Sequence, residues 1–228
     1  MASLLHLDSS AVRSGGSVSR ELTGLFADIR RDRRGGYTYR DVAADPVPPV
    51  GPAYAALGQR VERHGAVPLD RVRELVRGPD EAREWELTLP LIGELLAAET
   101  VLLGVPMYNL SVPASLKAWI DRVSFPGVFG DPETGERLLH GTTVVMVAVC
   151  GGGYGPGSPR DGLDFQVPYL RAYFGRLGVA EENLCVVRAE LTRADDVPGL
   201  ARFRETAARS LESARAAVAA LAARAPAV

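Results

Sequence analysis

Thr100-Val101-Leu102-Leu103-Gly104-Val105, closed by Pro106 and followed by Met107-Tyr108-Asn109-Leu110-Ser111-Val112-Pro113, lies near the middle of a 228-residue chain. The apolar run has the length of a buried strand, and proline cannot donate to a sheet ladder, so the strand ends there. The same pattern recurs on both sides. Residues 2–7 form a short apolar run ended by Asp8-Ser9-Ser10, and residues 37–42 are rich in β-formers. Residues 142–149 are the most apolar stretch and end in Cys150-Gly151-Gly152-Gly153, and residues 183–187 make a fifth strand. Between these runs apolar residues recur at helical spacing. Leu22, Leu25, Phe26 and Ile29 define one helix, stopped by Gly35-Gly36. Residues 80–98 predict a second, burying Trp85, Leu89, Ile92 and Leu96. Others are expected at 115–123, with Leu116, Trp119, Ile120 and Val123 on one face, at 165–177, and at 200–223. Pro46, Pro48, Pro49 and Pro52 mark a loop, and residues 53–80 show no firm pattern. Five strands alternating with helices predict an α/β fold with a five-stranded parallel sheet covered on both faces. No repeat, linker or low-complexity tract divides the chain, so residues 1–228 read as one domain with a short disordered tail at 225–228.

Composition narrows the function. Hydrophobic residues are 46% and charged residues 24% of the chain, as in ordinary globular proteins. A net charge of -2 supplies no basic field for nucleic acid. No apolar run approaches the roughly 20 residues that span a bilayer. The opening residues lack the basic start and cleavage site of a secretory signal. Cys150 and Cys185 make neither a metal-ligand spacing nor a disulfide framework. A reduced, cytoplasmic protein without a bound metal is expected.

Three loops leave strand ends, where open α/β sheets bind ligands. In the first, residues 9–19, Ser9, Ser17 and Ser19 place hydroxyls ahead of the expected first helix, whose free N–H groups and dipole favour an anion such as phosphate, with Val18 between the last two. It lacks the endings of a Walker loop and of a dinucleotide fingerprint, so a dinucleotide fold is disfavoured. A serine that merely caps the helix is the plain alternative. In the second, Pro106, Met107, Tyr108, Asn109 and Leu110 offer apolar cover for a planar ring and an amide for its polar edge. The alternative is a rigid turn with Met107 and Tyr108 in the core. In the third, Cys150, Gly151, Gly152 and Gly153 allow positive φ and close approach of backbone to a ligand, unless the loop is simply mobile. His6, His64 and His140 read as structural or exposed, and no catalytic side chain is nominated.

Val105-Pro106-Met107-Tyr108-Asn109, followed by Leu116-Lys117-Ala118-Trp119-Ile120-Asp121, resembles the FMN-dependent NADH:azoreductase and quinone reductase family of flavodoxin-like flavoproteins. Supporting matches are Ser9 with Ser17-Val18-Ser19, Arg40-Asp41-Val42-Ala43, and Pro168-Tyr169-Leu170 with Phe174 and Gly178. They run in the family's order across nearly the whole chain. The resemblance implies a three-layer flavodoxin-like fold and noncovalent FMN. The phosphate would lie in the serine loop and the isoalloxazine between the Met107–Leu110 loop and the glycine loop. It also implies NADH or NADPH as reductant, a small-molecule electron acceptor, and a homodimer with the site near the interface. Reduced nicotinamide passes a hydride to the flavin and leaves, and the acceptor then takes the electrons.

The departures from that pattern matter as well. Family members commonly carry Ser-Arg-Gly-Gly where this chain has Val149-Cys150-Gly151-Gly152, which removes a guanidinium beside the flavin. The loop at 153–161 is longer than usual, and Gly127-Val128-Phe129-Gly130-Asp131 lacks the aromatic pair of the cleft-covering loop. Phe129 and Tyr154 are the expected acceptor contacts, with a neutral or bulky acceptor favoured over small anionic azo dyes. Trp119, Phe125 and Phe129 are the aromatic residues expected at a dimer interface. Two other readings stay open: an electron-carrier flavodoxin, although such carriers are usually strongly acidic, and an FMN-dependent tailoring enzyme of specialised metabolism.

Overall fold

The computed structural model describes residues 3–13, 15–31, 35–65, 67–130, 134–158 and 160–224. Ala2, Ser14, Asp131, Pro159 and the expected tail at 225–228 lie outside them. Five strands pair in parallel: β1 (Leu4–Asp8), β2 (Tyr37–Asp41), β3 (Thr100–Pro106), β4 (Thr143–Val149) and β5 (Leu184–Ala189), in the order β2-β1-β3-β4-β5. The chain leaves β1 for one side of the sheet, forms β2, and returns to the other side for β3. That reversal makes a topological switch point between β1 and β3, where a crevice opens beyond the strand ends.

Six α-helices flank the sheet among the described residues: α1 (Val18–Arg31), α2 (Pro52–His64), α3 (Gly78–Ala97), α4 (Ala114–Val123), α5 (Gln166–Arg176) and α6 (Arg204–Ala223). On one face Leu22 and Phe26 of α1 and Ala214, Val218 and Ala222 of α6 pack on Leu4, Leu102, Val145 and Val187. On the other, α2 to α5 bury Leu57, Trp85, Ile92, Trp119, Ile120 and Phe174 against Leu5, Leu7, Val101, Leu103 and Met146. Strands covered on both faces must be apolar at every position, which is why β3 and β4 read as unbroken runs.

The segment without a firm pattern contains α2, with Pro52 in its first turn, and a 3-10 turn at Leu69–Leu75. Proline at a helix start has no N–H to lose, so the last proline of the loop opens a helix. The buried face of α3 also differs from the expected one. Trp85, Thr88, Leu91, Ile92 and Leu95 face inward, Leu89 is 37% exposed and Leu96 is only partly covered. Fully buried Arg122 draws Thr88 inward, donating to it at 3.2 Å, to Glu84 at 2.6 Å and to the Pro48 carbonyl at 3.0 Å. The closing helix begins as a separate 3-10 turn, Pro198–Phe203, before α6. No described helix is long and apolar enough to cross a membrane.

Candidate functional site at the β1–β3 switch point

The serine loop divides its hydroxyls between two tasks. Ser9 is buried; its Oγ donates to the Gly104 carbonyl at 2.7 Å, and its N–H reaches the same oxygen at 3.1 Å. Its O–H is used within the sheet in this structure, so a phosphate would have to compete with the Gly104 carbonyl for it. Ser10 fits better: its Oγ accepts the Val12 N–H at 3.3 Å, which leaves its own hydrogen free. Ser17 and Ser19 lie at the start of α1 with their hydroxyl oxygens 3.3 Å apart.

The fork of Arg20 holds this loop. Its Nη2 donates to the Ser10 carbonyl at 2.7 Å and to Asp41 at 2.8 Å, and its Nε donates to the Val12 carbonyl at 3.0 Å. Nη1 donates to Tyr39 Oη at 3.2 Å and lies 3.5 Å from Asp8. The hydrogen bond to Asp41 is the main reason the guanidinium pKa is raised. Burial alone would push the Asp41 carboxyl up, but the bonds from Arg20 and from the Ala44 and Ala43 N–H groups outweigh it and hold it low. Arg20 thus meets two carboxylates and fastens two loop carbonyls. Sequence reading passed over it. The available signal was a cation in the first turn of a helix, where the dipole disfavours positive charge.

At the end of β3 the chain makes a two-residue turn. Tyr108 and Ser111 exchange N–H···O bonds of 3.0 and 3.1 Å around Asn109 (φ 48°) and Leu110 (φ 73°). Asn tolerates this left-handed region, whereas Leu is strained there by about 1–2 kcal/mol. Held strain of this kind clusters at functional sites. The N–H groups of Asn109 and Leu110 have no partner among the described residues, so two donors remain for a ligand. Tyr108 is 37% exposed, against the core reading, and its hydroxyl accepts the Ala11 N–H at 3.1 Å, tying this turn to the serine loop.

The glycine loop packs tightly, with its polypeptide tethered to the turn after β5. Cys150 O accepts the Thr192 N–H at 3.2 Å, and Gly152 O accepts the Leu191 N–H at 3.1 Å. A Cβ on Gly151 would lie 2.9 Å from Arg193 Cδ, and one on Gly152 2.8 Å from Arg160 Nη1. Close approach of the Arg193 stem accounts for Gly151, whereas the close contact at Gly152 is only the tip of exposed Arg160, and none of Gly151, Gly152 and Gly153 has positive φ. Cys150 is buried, and desolvation, with Glu190 and Asp164 contributing, pushes its thiol up to about 12. The reactive species is the thiolate, so Cys150 should be inert near neutral pH. Titration of the native protein with a maleimide at pH 7.5 is expected to modify half-buried Cys185 alone, and both thiols after denaturation. Rapid labelling of native Cys150 would contradict the packing.

The aromatic residues at 119–129 behave differently from expectation. Trp119, Phe125 and Phe129 are 0%, 3% and 5% exposed within the single chain. Phe125 packs on Trp85 and Tyr54 with ring centroids 5.0 and 5.3 Å apart. Their surface is largely covered by the chain's own core, which argues against all three as interface residues, while Phe125 and Phe129 keep an edge on a cavity of about 240 Å³ shared with Arg137 and Tyr173. Tyr154 is half-buried, its N–H donating to Glu190 at 2.8 Å. A cavity of about 620 Å³ opens at the other end of the sheet, lined by Arg30, Glu99, Thr143 and Cys185. It lies at the amino ends of the strands, away from the switch point, and none of the three loops lines it.

The donor set suits a phosphomonoester joined to a planar ring. Three hydroxyls (Ser10, Ser17, Ser19) and a helix start are available to an anion, and the two N–H groups of the Asn109-Leu110 turn that have no partner among the described residues are available to a ring edge. A parallel sheet of this order with such loops at its switch point defines an open α/β protein of the flavodoxin-like class. The chain belongs to the family described as having a flavodoxin-like fold, whose model matches residues 2–218. It is 42% identical over 207 residues to an FMN-dependent NADH:quinone oxidoreductase of Nocardia farcinica, covering 90% of each chain. With one of the same description from Frankia alni it shares 36% identity over 226 residues, covering 98% of this chain and 100% of the other. Its fold is similar to that of an azoreductase from Bacillus anthracis, with a TM-score of 0.77, 18% identity, and coverage of 97% and 99%.

Proposed function

We propose that this protein is an FMN-dependent oxidoreductase that uses NADH or NADPH to reduce a quinone-like or azo-like acceptor, working as a cytoplasmic homodimer. The observation that carries the reading is the coupling of two loops across the switch point. Hydroxyl donors fit for a phosphate on the β1 side are tied through Tyr108 to a strained turn with free N–H groups on the β3 side. Relatives that align over nine-tenths or more of the chain and are named for this reaction support it. FMN, when bound, supplies the redox chemistry by taking a hydride from nicotinamide and passing two electrons to the acceptor. The chain's own residues bind and orient. Ser10, Ser17, Ser19 and the N–H groups of Val18 and Ser19 would hold the phosphate. The backbone of Asn109 and Leu110 would meet the ring edge, and Pro106, Met107 and the Cys150–Gly153 loop would cover the ring, Cys150 through its backbone alone. The homodimer rests on the family resemblance.

The kinetic test separates an enzyme from an electron carrier. Purified protein should be yellow, bleach with anaerobic NADH or NADPH, and show parallel-line (ping-pong) initial-rate patterns with a quinone. Flavin that nicotinamide cannot bleach but a one-electron donor can would favour the carrier reading. Replacing Ser17 and Ser19 together by alanine should weaken FMN binding by roughly 2–4 kcal/mol, from two lost charge-assisted hydrogen bonds. Unchanged affinity in fluorescence titration of the apoprotein would place the phosphate elsewhere.

A further inference from the structure

The glycine loop was expected to lack a cation, because Cys150 stands where the family commonly carries arginine. The fold returns one from further along the chain. Arg160 lies over Gly152, with Nη1 only 2.8 Å from where a Cβ would sit. The same nitrogen donates to Tyr154 Oη at 3.1 Å, and the guanidinium carbon lies 5.5 Å from the centre of the Tyr154 ring. Both contacts fix an otherwise exposed side chain.

The segment carrying Arg160 begins and ends at the second loop. At its start the Val149 carbonyl accepts the Met107 N–H at 2.7 Å. At its end the Phe165 N–H donates to the Leu110 carbonyl at 3.0 Å, on the strained turn itself. The acids around it have other partners. Asp161 accepts the Gly157 N–H at 3.1 Å, and Glu190 accepts the Tyr154 N–H at 2.8 Å. Asp164 pairs with Arg188 and accepts the Gln166 and Val167 N–H groups at 2.9 and 3.1 Å. The other nearby cation, Arg193, lays its stem on Gly151. Among the described residues Arg160 makes no ion pair. Charges of both signs surround it, so its effect is a directed contact and not long-range steering.

We propose that Arg160, held by Tyr154 over Gly152, is a specificity-determining residue that binds a carboxylate or sulfonate on the electron acceptor. This rests on the reductase reading and reverses the expected preference for neutral acceptors. A planar guanidinium with no resident counter-ion is suited to two parallel hydrogen bonds to such a group. Tyr154 is the positioning residue that orients it.

The test uses the full-length, FMN-loaded protein and two acceptors that differ at one group, a carboxylated azo dye and its uncharged methyl ester. In Arg160→Gln the ratio of kcat/KM for acid over ester should fall about tenfold, the modest value expected for a solvent-exposed charged contact. Binding of the acid dye to the oxidised protein, followed through the flavin spectrum, should weaken by a similar factor, and Arg160→Lys should recover part of both. Tyr154→Phe should lower the ratio less, in the same direction. An unchanged acid-to-ester ratio overturns the proposal. So does a loss confined to flavin reduction by NADH, which would assign the arginine to the phosphates of the donor. Should nicotinamide fail to reduce the flavin of the wild type, the reductase reading fails separately, and dye binding to the oxidised protein still decides the role of Arg160.

Discussion

Arg20→Lys is expected to weaken FMN binding about thirtyfold while leaving riboflavin binding unchanged. The two ligands differ by the phosphate alone, so the comparison isolates the serine loop. Arginine reaches the carbonyls of Ser10 and Val12, both carboxylates and Tyr39 with one rigid fork. Lysine keeps the charge but cannot span that set. Bonds to charged groups are worth roughly 1.5–3 kcal/mol each, and loosening the loop transmits part of two such losses, about 2 kcal/mol, to the ligand. Isothermal titration of the apoprotein with each flavin checks this. Equal losses for both would mean general loosening of the fold and would remove the assignment. The clamp should hold throughout the neutral range. Asp41 has a depressed pKa, so its contribution is complete above the carboxylate value of the unfolded chain and is lost only as pH falls through its folded value.

Gly104→Ala should cost about 3 kcal/mol of stability, lowering Tm by roughly 6–12 °C for a chain of this size. Gly104 pairs in register with Asp8, and an added Cβ would stand 2.4 Å from Asp8 Oδ1 and 3.1 Å from Thr23 Cγ2. The carboxylate cannot retreat. Thr23 donates to it at 2.9 Å and Tyr39 at 3.1 Å, with His6 3.4 Å and Arg20 3.5 Å away. The clash also displaces the carbonyl that holds Ser9, so FMN affinity should fall with stability. Gly93→Ala on α3, where nothing lies within 4 Å of the new Cβ, is the control and should be neutral or slightly stabilising. Denaturant unfolding of the two variants gives the comparison. Equal stability of Gly104→Ala and wild type would show that the Asp8 cluster is not packed as described.

The strands were legible because burial on both faces leaves an unbroken apolar run that needs no partner to be recognised. Residues 53–80 were not, because α2 starts on a proline that reads as loop punctuation. The inward face of α3 was displaced by Arg122, a charge on another helix that makes Thr88 a core residue. Trp119, Phe125 and Phe129 were misplaced for a related reason: an aromatic residue is equally at home in a core or an interface, and composition does not distinguish them. At the candidate site the Pro106–Leu110 loop was singled out by residue type. The exchange of Ser9 for Ser10 was invisible, since neighbouring serines are chemically alike until one of them meets a carbonyl across the sheet.

The amino-acid sequence by itself determined the class of this protein. Alternating apolar runs and helical periods commit the chain to a covered parallel sheet, and the motifs at its strand ends carry the family resemblance that implies FMN. Those are local properties, set by spacing and residue type. Tertiary structure alone decided which hydroxyls are free, which glycines are required, and where the charges stand. Arg20 closes on Asp8 and Asp41 only because strands apart in sequence meet at one end of the sheet, and Arg160 comes to rest over Gly152 through the path its own loop takes. A hydrogen bond or an ion pair needs its partner within about 3 Å, and no one-dimensional pattern supplies that distance.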